Sequence, residues 1–296
     1  MSAPSDAGPS EFAPAKINLT LRAGPPRHDG YHPLDSLVVF ADWGDTVTAE
    51  PASGLSLSLT GQGAETLKDE PHNLVLKAAW ALRAAVEKPE LGARLTLDKR
   101  LPAAAGLGGG SADAAATLRL LNRLWDLGLD TRQLADIASA VGADVPACVH
   151  SRPLRMRGTG ERIEPLIAWP DLPAVILHPG EALSTASVFR AYDETGPQAL
   201  EPGGRAVAGT VDTAVALMAA GANDLEPPAR RLVPVISDAL HALEAVDGAR
   251  IARMSGSGAS CFSIFDDAAA ATAAAGALDG ARPGWRAQAV MLGGAA

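Results

Sequence analysis

Apolar and polar residues alternate over 55–60 and again over 94–98, the period-two pattern of half-buried strands. Elsewhere apolar residues recur at three- and four-residue steps. Leu74, Ala78, Ala81, Leu82 and Ala85 share one face of a helix over 73–86. Ala115, Leu118, Leu121, Leu124 and Trp125 define another from Ser111 to Trp125, and a third is expected over 131–141. Residues 12–21 read as a first strand with Pro14 at its edge. Strands over 37–41 and 46–50 are expected to be joined by a turn at 42–45. A boundary falls in 151–165. Beyond it, 174–178 reads as a short strand, 184–192 and 234–245 as helices, and 198–209 as a loop around Pro202, Gly203 and Gly204. Strands over 250–254 and 260–265 flank a tight Ser-Gly-Ser-Gly turn. An alanine-rich helix at 268–277 and a strand at 285–292 close the chain. The elements interleave irregularly and without a fixed-period repeat, so the expected fold is α+β rather than a doubly wound parallel sheet.

A chain of 296 residues suggests two domains or one two-lobed unit. The expected division is a loose tail over 1–10, an N-terminal domain over 11–160 and a C-terminal domain over 161–296. The tail has neither a basic start nor an apolar run, so it does not read as a signal peptide. No stretch approaches the ~18 uncharged apolar residues of a membrane helix. A soluble cytoplasmic protein with no membrane association is expected, as a monomer or weak homodimer. The 47% hydrophobic content supports a core and excludes general disorder. A formal charge of −9 argues against a nucleic-acid partner, which needs a basic footprint. An anionic substrate would then need a local cationic or amide-rich pocket. Cys148 and Cys261 read as buried reduced thiols, and no metal-ligand spacing occurs.

The most informative segment is Pro102-Ala103-Ala104-Ala105-Gly106-Leu107-Gly108-Gly109-Gly110-Ser111-Ala112, just ahead of an amphipathic helix. Glycine permits positive φ and close backbone approach. A helix start offers unpaired N–H groups and the positive end of the dipole, which together suit an anion such as a phosphate. Ser111 is a natural N-cap. No Lys-Ser/Thr pair follows the glycines, so this is not a Walker A loop, and the serine at 111 breaks the Gly-x-Gly-x-x-Gly fingerprint. From motif chemistry alone, phosphate binding, a structural turn and a dinucleotide site all stay open, with phosphate binding favoured.

The Pro-x-x-x-Gly-Leu-Gly-Gly-Gly-Ser-Ala motif resembles the central motif of the GHMP kinases. Pro14-Ala15-Lys16-Ile17-Asn18-Leu19 resembles their first motif and Met254-Ser255-Gly256-Ser257-Gly258-Ala259 their third, in the right order along the chain. Asp29-Gly30-Tyr31-His32-Pro33-Leu34, Gly142-Ala143-Asp144-Val145-Pro146, Asn223-Asp224-Leu225-Glu226 and His178-Pro179-Gly180 with Ser184, Thr185 and Phe189 resemble one branch of that family. The resemblance implies a ribosomal-S5-like N-terminal lobe and a ferredoxin-like C-terminal lobe with substrates in the cleft between them. The implied reaction moves the γ-phosphate of ATP to the 2-hydroxyl of a cytidine-diphosphate-linked sugar alcohol in non-mevalonate isoprenoid precursor biosynthesis. Mg²⁺ is expected as the ATP counter-ion, with no dedicated protein ligand.

Residue roles follow from the resemblance. Phosphoryl transfer needs positioning, charge neutralisation and removal of the hydroxyl proton. Asp144 is the candidate base, and Lys16 the cation that keeps it ionised and stabilises the nascent alkoxide. On pattern alone Asp144 reads as a turn or N-cap residue and Lys16 as a strand lysine with a solvated head. Residues 102–112 are expected to hold the ATP phosphates, with Asn73 and Lys99 towards the nucleoside. Tyr31, His32 and Phe189 are expected to contact the cytidine, and Asn18 and Thr185 the sugar-alcohol portion. Residues 255–258 are expected to be mainly architectural. The rivals are a homoserine or mevalonate kinase, a non-catalytic nucleotide-binding regulator and a dinucleotide oxidoreductase. The regulator could dispense with Lys16 and Asp144, and the oxidoreductase lacks its fingerprint.

Overall fold

The computed structural model describes residues 8–67, 73–200, 204 and 206–294. Strand β1 (Ser10–Ala23) is followed by β2 (Leu34–Pro51), β3 (Leu55–Thr60), helix α1 (Leu74–Ala85) and β4 (Ala93–Asp98). Helices α2 (Gly109–Leu124), α3 (Thr131–Ser139) and α4 (Val145–His150) come next, then the hairpin β5 (Leu154–Gly158) and β6 (Arg162–Pro165). The chain continues as β7 (Leu172–His178), α5 (Thr185–Asp193), α6 (Val211–Ala220), α7 (Glu226–Leu232) and α8 (Val235–Ala245). It ends with β8 (Ile251–Met254), β9 (Cys261–Ile264), α9 (Ala268–Leu278) and β10 (Arg286–Gly293). The fold is α+β, as the interleaving implies.

The described chain forms two compact units interleaved in sequence. One comprises 1–15, 44–103 and 109–150, and the other 16–43, 104–108 and 151–296. Residues 1–7 of the expected tail lie outside the described residues, whereas Pro9 already accepts a bond from Ala49 N–H and Ser10 begins β1. In the first unit the end of β2 runs antiparallel to β4 (Thr46 opposite Asp98), and β4 runs parallel to β3. Helices α1 and α2 pack on each other, with Ala78, Leu82, Leu118 and Leu121 buried.

In the second unit β10, β7, β9 and β8 form an antiparallel run, and the start of β2 pairs with β5. Its core gathers Leu21, Leu177, Ile236, Leu240, Phe265 and Trp285. Cys148 and Cys261 are buried and unbridged.

Two local expectations need correction. Residues 42–45 do not turn; β2 runs unbroken for 18 residues. A Cβ on Gly44 would stand 2.2 Å from Ala13 O, so this glycine serves close strand approach. The second unit resumes at Ser151, at the start of the stretch read as a boundary, and 151–165 also carries the β5–β6 hairpin, whose short Leu-Arg-Met-Arg alternation is masked by Pro153 and Gly158. Helix α2 starts at Gly109, so Ser111 lies inside its first turn and is not the N-cap. The expected loop at 198–209 contains no helix or strand among its described residues.

Candidate active site

The second unit holds the first half of the glycine loop. Gly106 and Gly108 take left-handed φ of 74° and 61°. A Cβ on Gly106 would lie 2.5 Å from Ser255 O and 2.7 Å from Gly258 O, so only glycine fits. The Ser255 hydroxyl donates to Gly106 O at 3.0 Å and accepts from Asn18 N at 3.2 Å. Ser260 N donates to Ala105 O at 3.0 Å. Asn223 Nδ2 donates to Met254 O and Gly256 O, pinning the turn from the other side. The third glycine motif is thus a buttress of the loop, in line with the architectural role expected of it.

His178 braces the same turn, its Nδ1 lying 3.2 Å from Ser260 Oγ. Burial pushes its imidazole down to about 4. The fold accepts the neutral ring, so the stability that depends on it is complete above the unfolded value near 6.5 and is lost as pH falls towards 4. His178→Gln should remove that dependence. The unfolding free energy of wild type minus variant is expected to fall by up to roughly 1.4 kcal/mol per pH unit across that window. Chemical denaturation at a series of pH values checks it, and a constant difference counts against it. Taking the difference between the two proteins cancels other titrating groups.

Beside the loop, Lys16 N donates to Leu107 O at 2.8 Å, and a Cβ on Gly108 would touch Lys16 Cβ and Cε at 3.0 Å. Lys16 is not a solvated strand lysine; it is 3% exposed and its Nζ donates to Asn18 Oδ1 at 2.9 Å. Asn18 Nδ2 in turn donates to Ser36 Oγ at 2.7 Å, and Ser36 Oγ to Thr20 O at 2.6 Å. This buried relay fixes the ammonium and the amide against one another.

The expected base-recognition residues fall in the same unit. His32 Nδ1 donates to Gly24 O at 2.9 Å, and Nε2 lies 3.5 Å from Asp193 Oδ1. The Phe189 ring stacks on His32 at 4.5 Å with 25° between planes. Tyr31 is 58% exposed, its N–H held by Asp29 Oδ1. Thr185, the first residue of α5, shares a hydrogen bond with Ser257 Oγ at 2.8 Å.

In the first unit, Gly109 and Gly110 form the start of the 16-residue helix α2. Asn73 is the N-cap of α1, its Oδ1 accepting from Val75 N at 2.9 Å. Lys99 was placed by sequence towards the nucleoside of ATP, but its ammonium is buried and lies 2.5 Å from Asp45 Oδ2 and 2.7 Å from Asp113 Oδ2. Burial alone would lower the Lys99 ammonium; the two carboxylates outweigh it and hold it above its ordinary value. Burial raises the Asp113 carboxyl to about 8, against the pull of Lys99 and with the push of Asp45. Asp144 is half-buried in the turn entering α4. Lys16 and Asp144 belong to different units.

Sequence reading missed Asp45, Asp113 and Asp193. Asp45 was assigned to a turn, Asp113 to the body of a helix, and Asp193 has no motif signal. Among the described residues no cluster of three His, Cys, Asp or Glu side chains is arranged to hold a metal. No helix among the described residues is long and apolar enough to cross a membrane.

Comparison with known proteins follows the same lines. The model for the GHMP kinases N terminal domain matches residues 73–152 and that for the GHMP kinases C terminal domain matches 206–282. The chain is 48% identical over 288 residues to 4-diphosphocytidyl-2-C-methyl-D-erythritol kinase from Rhodopseudomonas palustris, covering 92% of this chain and 93% of that one. A crystal structure of 4-(cytidine 5'-diphospho)-2C-methyl-D-erythritol kinase superposes with a TM-score of 0.76 at 36% identity, covering 97% of this chain and all of that one. Homoserine kinase from Cytophaga hutchinsonii matches with a TM-score of 0.72 but at 20% identity over 99% and 96% of the two chains, a likeness of fold alone.

Proposed function

Because the chain belongs to the GHMP kinases, and within them to the 4-diphosphocytidyl-2-C-methyl-D-erythritol kinases, we propose that it moves the γ-phosphate of ATP to the 2-hydroxyl of that cytidine-linked sugar alcohol, with residues 102–112 as its phosphate cradle. The observation that carries the cradle is the pair of left-handed glycines, Gly106, where no side chain fits, and Gly108 against the Lys16 stem, followed by the two glycines that open α2. Such a backbone can approach an anion closely, and the helix start favours its charge. Mg²⁺, when bound with ATP, supplies neutralisation of the phosphate charge.

The remaining chemistry falls to side chains. Asp144 takes the proton from the acceptor hydroxyl as the oxygen attacks phosphorus. Lys16, oriented by Asn18, keeps positive charge by the developing alkoxide. Asn18 and Thr185 orient the sugar alcohol. Asn73, through its place ahead of α1, serves the nucleoside end of ATP. Phe189 presents an aromatic face to the cytosine, held by the His32 ring that Gly24 O and Asp193 anchor, with Tyr31 available to cover the base.

The test is an ADP-release assay with ATP and a panel of acceptors that includes homoserine, mevalonate and the cytidine-diphosphate methylerythritol compound. Turnover confined to the last is expected; turnover of homoserine or mevalonate instead overturns the acceptor assignment. Loss of a base–aromatic stack is worth about 1–3 kcal/mol. Tyr31→Ala is therefore expected to weaken acceptor binding by roughly ten- to a hundred-fold. Affinity for a non-hydrolysable ATP analogue should hardly change. Titrating each ligand separately checks this, and loss confined to the ATP analogue would move Tyr31 to the other substrate.

A further inference from the structure

The ammonium of Lys99 lies directly against the first residue of α2: a Cβ built on Gly109 would stand 3.0 Å from Lys99 Nζ. A helix start is an unfavourable place for a cation, since the dipole presents positive charge there. Two buried acids, Asp45 and Asp113, hold the ammonium there. Asp45 is fully buried and well satisfied, its Oδ1 accepting from Arg100 N at 2.6 Å and Leu101 N at 2.8 Å and its Oδ2 from Lys99. Asp113 is less well served. Its Oδ2 accepts from Lys99, and its Oδ1 is buried with no hydrogen-bond partner. Lys99 therefore compensates both acids, and it is only 2% exposed. It cannot turn towards a ligand without leaving the Asp45 carboxylate and the Asp113 carboxyl unpaired in a dry site, where an uncompensated charge is strongly disfavoured.

We propose that Lys99 is a positioning residue for the nucleotide phosphates, acting by compensating Asp45 and Asp113 beneath the first turn of α2 rather than by touching ATP. The inference rests on the reading of residues 102–112 as the phosphate cradle. Without the ammonium, the start of α2 would carry one more uncompensated negative charge, and a polyphosphate would be repelled from the place that ought to receive it. The compensation also explains why a chain of net charge −9 can keep two acids this close to a phosphate site.

The test uses the full chain, the ATP analogue AMP-PNP with Mg²⁺, and CDP as a probe of acceptor-nucleotide binding, titrated separately. Lys99→Met, which keeps the aliphatic stem, is expected to weaken AMP-PNP at least about ten-fold, or about 1.4 kcal/mol, with CDP affinity within two-fold of wild type. Lys99→Met/Asp45→Asn should regain most of the loss. The amide oxygen still accepts from Arg100 and Leu101 N–H while the charge that Lys99 offset is gone. Asp45→Asn alone leaves the cluster more positive and is expected to tighten AMP-PNP about three-fold, a prediction that stands even if Lys99→Met does not fold. The proposal is overturned if Lys99→Met binds AMP-PNP like wild type, if it loses both probes alike without recovery in the double variant, or if Asp45→Asn weakens AMP-PNP or leaves it unchanged. Wild-type AMP-PNP that tripolyphosphate does not displace overturns the cradle reading and this inference together. Displacement by tripolyphosphate with unaltered Lys99→Met sinks this inference alone.

Discussion

Asp144→Asn should reduce kcat by about 10²–10⁴ while changing the affinity for either substrate only a few-fold, because a positioned general base contributes that much to the rate and little to ground-state binding. The substitution is nearly isosteric, and Asp144 sits half-buried in a turn rather than within a helix or strand. A fall in kcat without a matching rise in KM therefore reports on the proton transfer. Lys16→Met should act on the same step. Its stem fills the space against Gly108, while the ammonium that bonds Asn18 is lost. A buried cation that stabilises the alkoxide only as it forms should also affect kcat more than KM. Single-turnover measurements with saturating ATP and acceptor separate chemistry from product release. Parent-like turnover in both folded variants would overturn both roles.

Gly106→Ala should cause the largest loss of stability among the loop glycines. The left-handed backbone costs a side-chain-bearing residue roughly 1–2 kcal/mol. Its Cβ would then meet backbone atoms of Ser255 and Gly258 at 2.5–2.9 Å, which cannot swing aside as the end of a side chain can. Overpacking of this kind adds about 1–3 kcal/mol. At about 2–4 °C per kcal/mol for a larger domain, the thermal midpoint should fall by about 10 °C. ATP-analogue affinity should fall with it, because the displaced segment is the cradle itself. Gly110→Ala should do the opposite to stability. That position is helical, and the nearest atom to a new Cβ is Leu74 Cδ1 at 3.4 Å. Fewer unfolded conformations then favour the fold by about 0.4–1 kcal/mol. Calorimetry of the two variants side by side tests the contrast; equal effects would mean that the loop is not held as described.

Helices α1 and α2 were legible because their apolar stripes repeat over three or more turns, long enough for the period to stand out from composition. Strands β3 and β4 were legible for the same reason at period two. The supposed turn at 42–45 was wrong because aspartate and glycine carry two meanings. Local statistics favour a turn, whereas here Asp42 accepts from Met291 N, Asp45 accepts from Arg100 and Leu101 N, and Gly44 admits the backbone at Ala13. Helices α4, α6 and α7 were not read at all. Ser111 was taken for a cap because serine favours that position, but the two glycines before it already adopt the helix.

By itself the sequence determined the kinase family, the order of its motifs and the glycine loop, because each depends on residues adjacent in the chain and on the conformations glycine alone permits. It could not determine which polar groups meet. Ser255 reaches Asn18 across 237 positions, and Lys99 reaches Asp45 across 54. Hydrogen bonds and ion pairs over such separations leave no local pattern, since any buried lysine could take any of the chain's acids. Only the tertiary structure shows Lys16 as a buried ammonium bound to Asn18 and Lys99 as an ammonium enclosed by Asp45 and Asp113. Burial decides the difference: in water either lysine would be an interchangeable surface cation, whereas out of water its charge must be met by named partners at fixed distances.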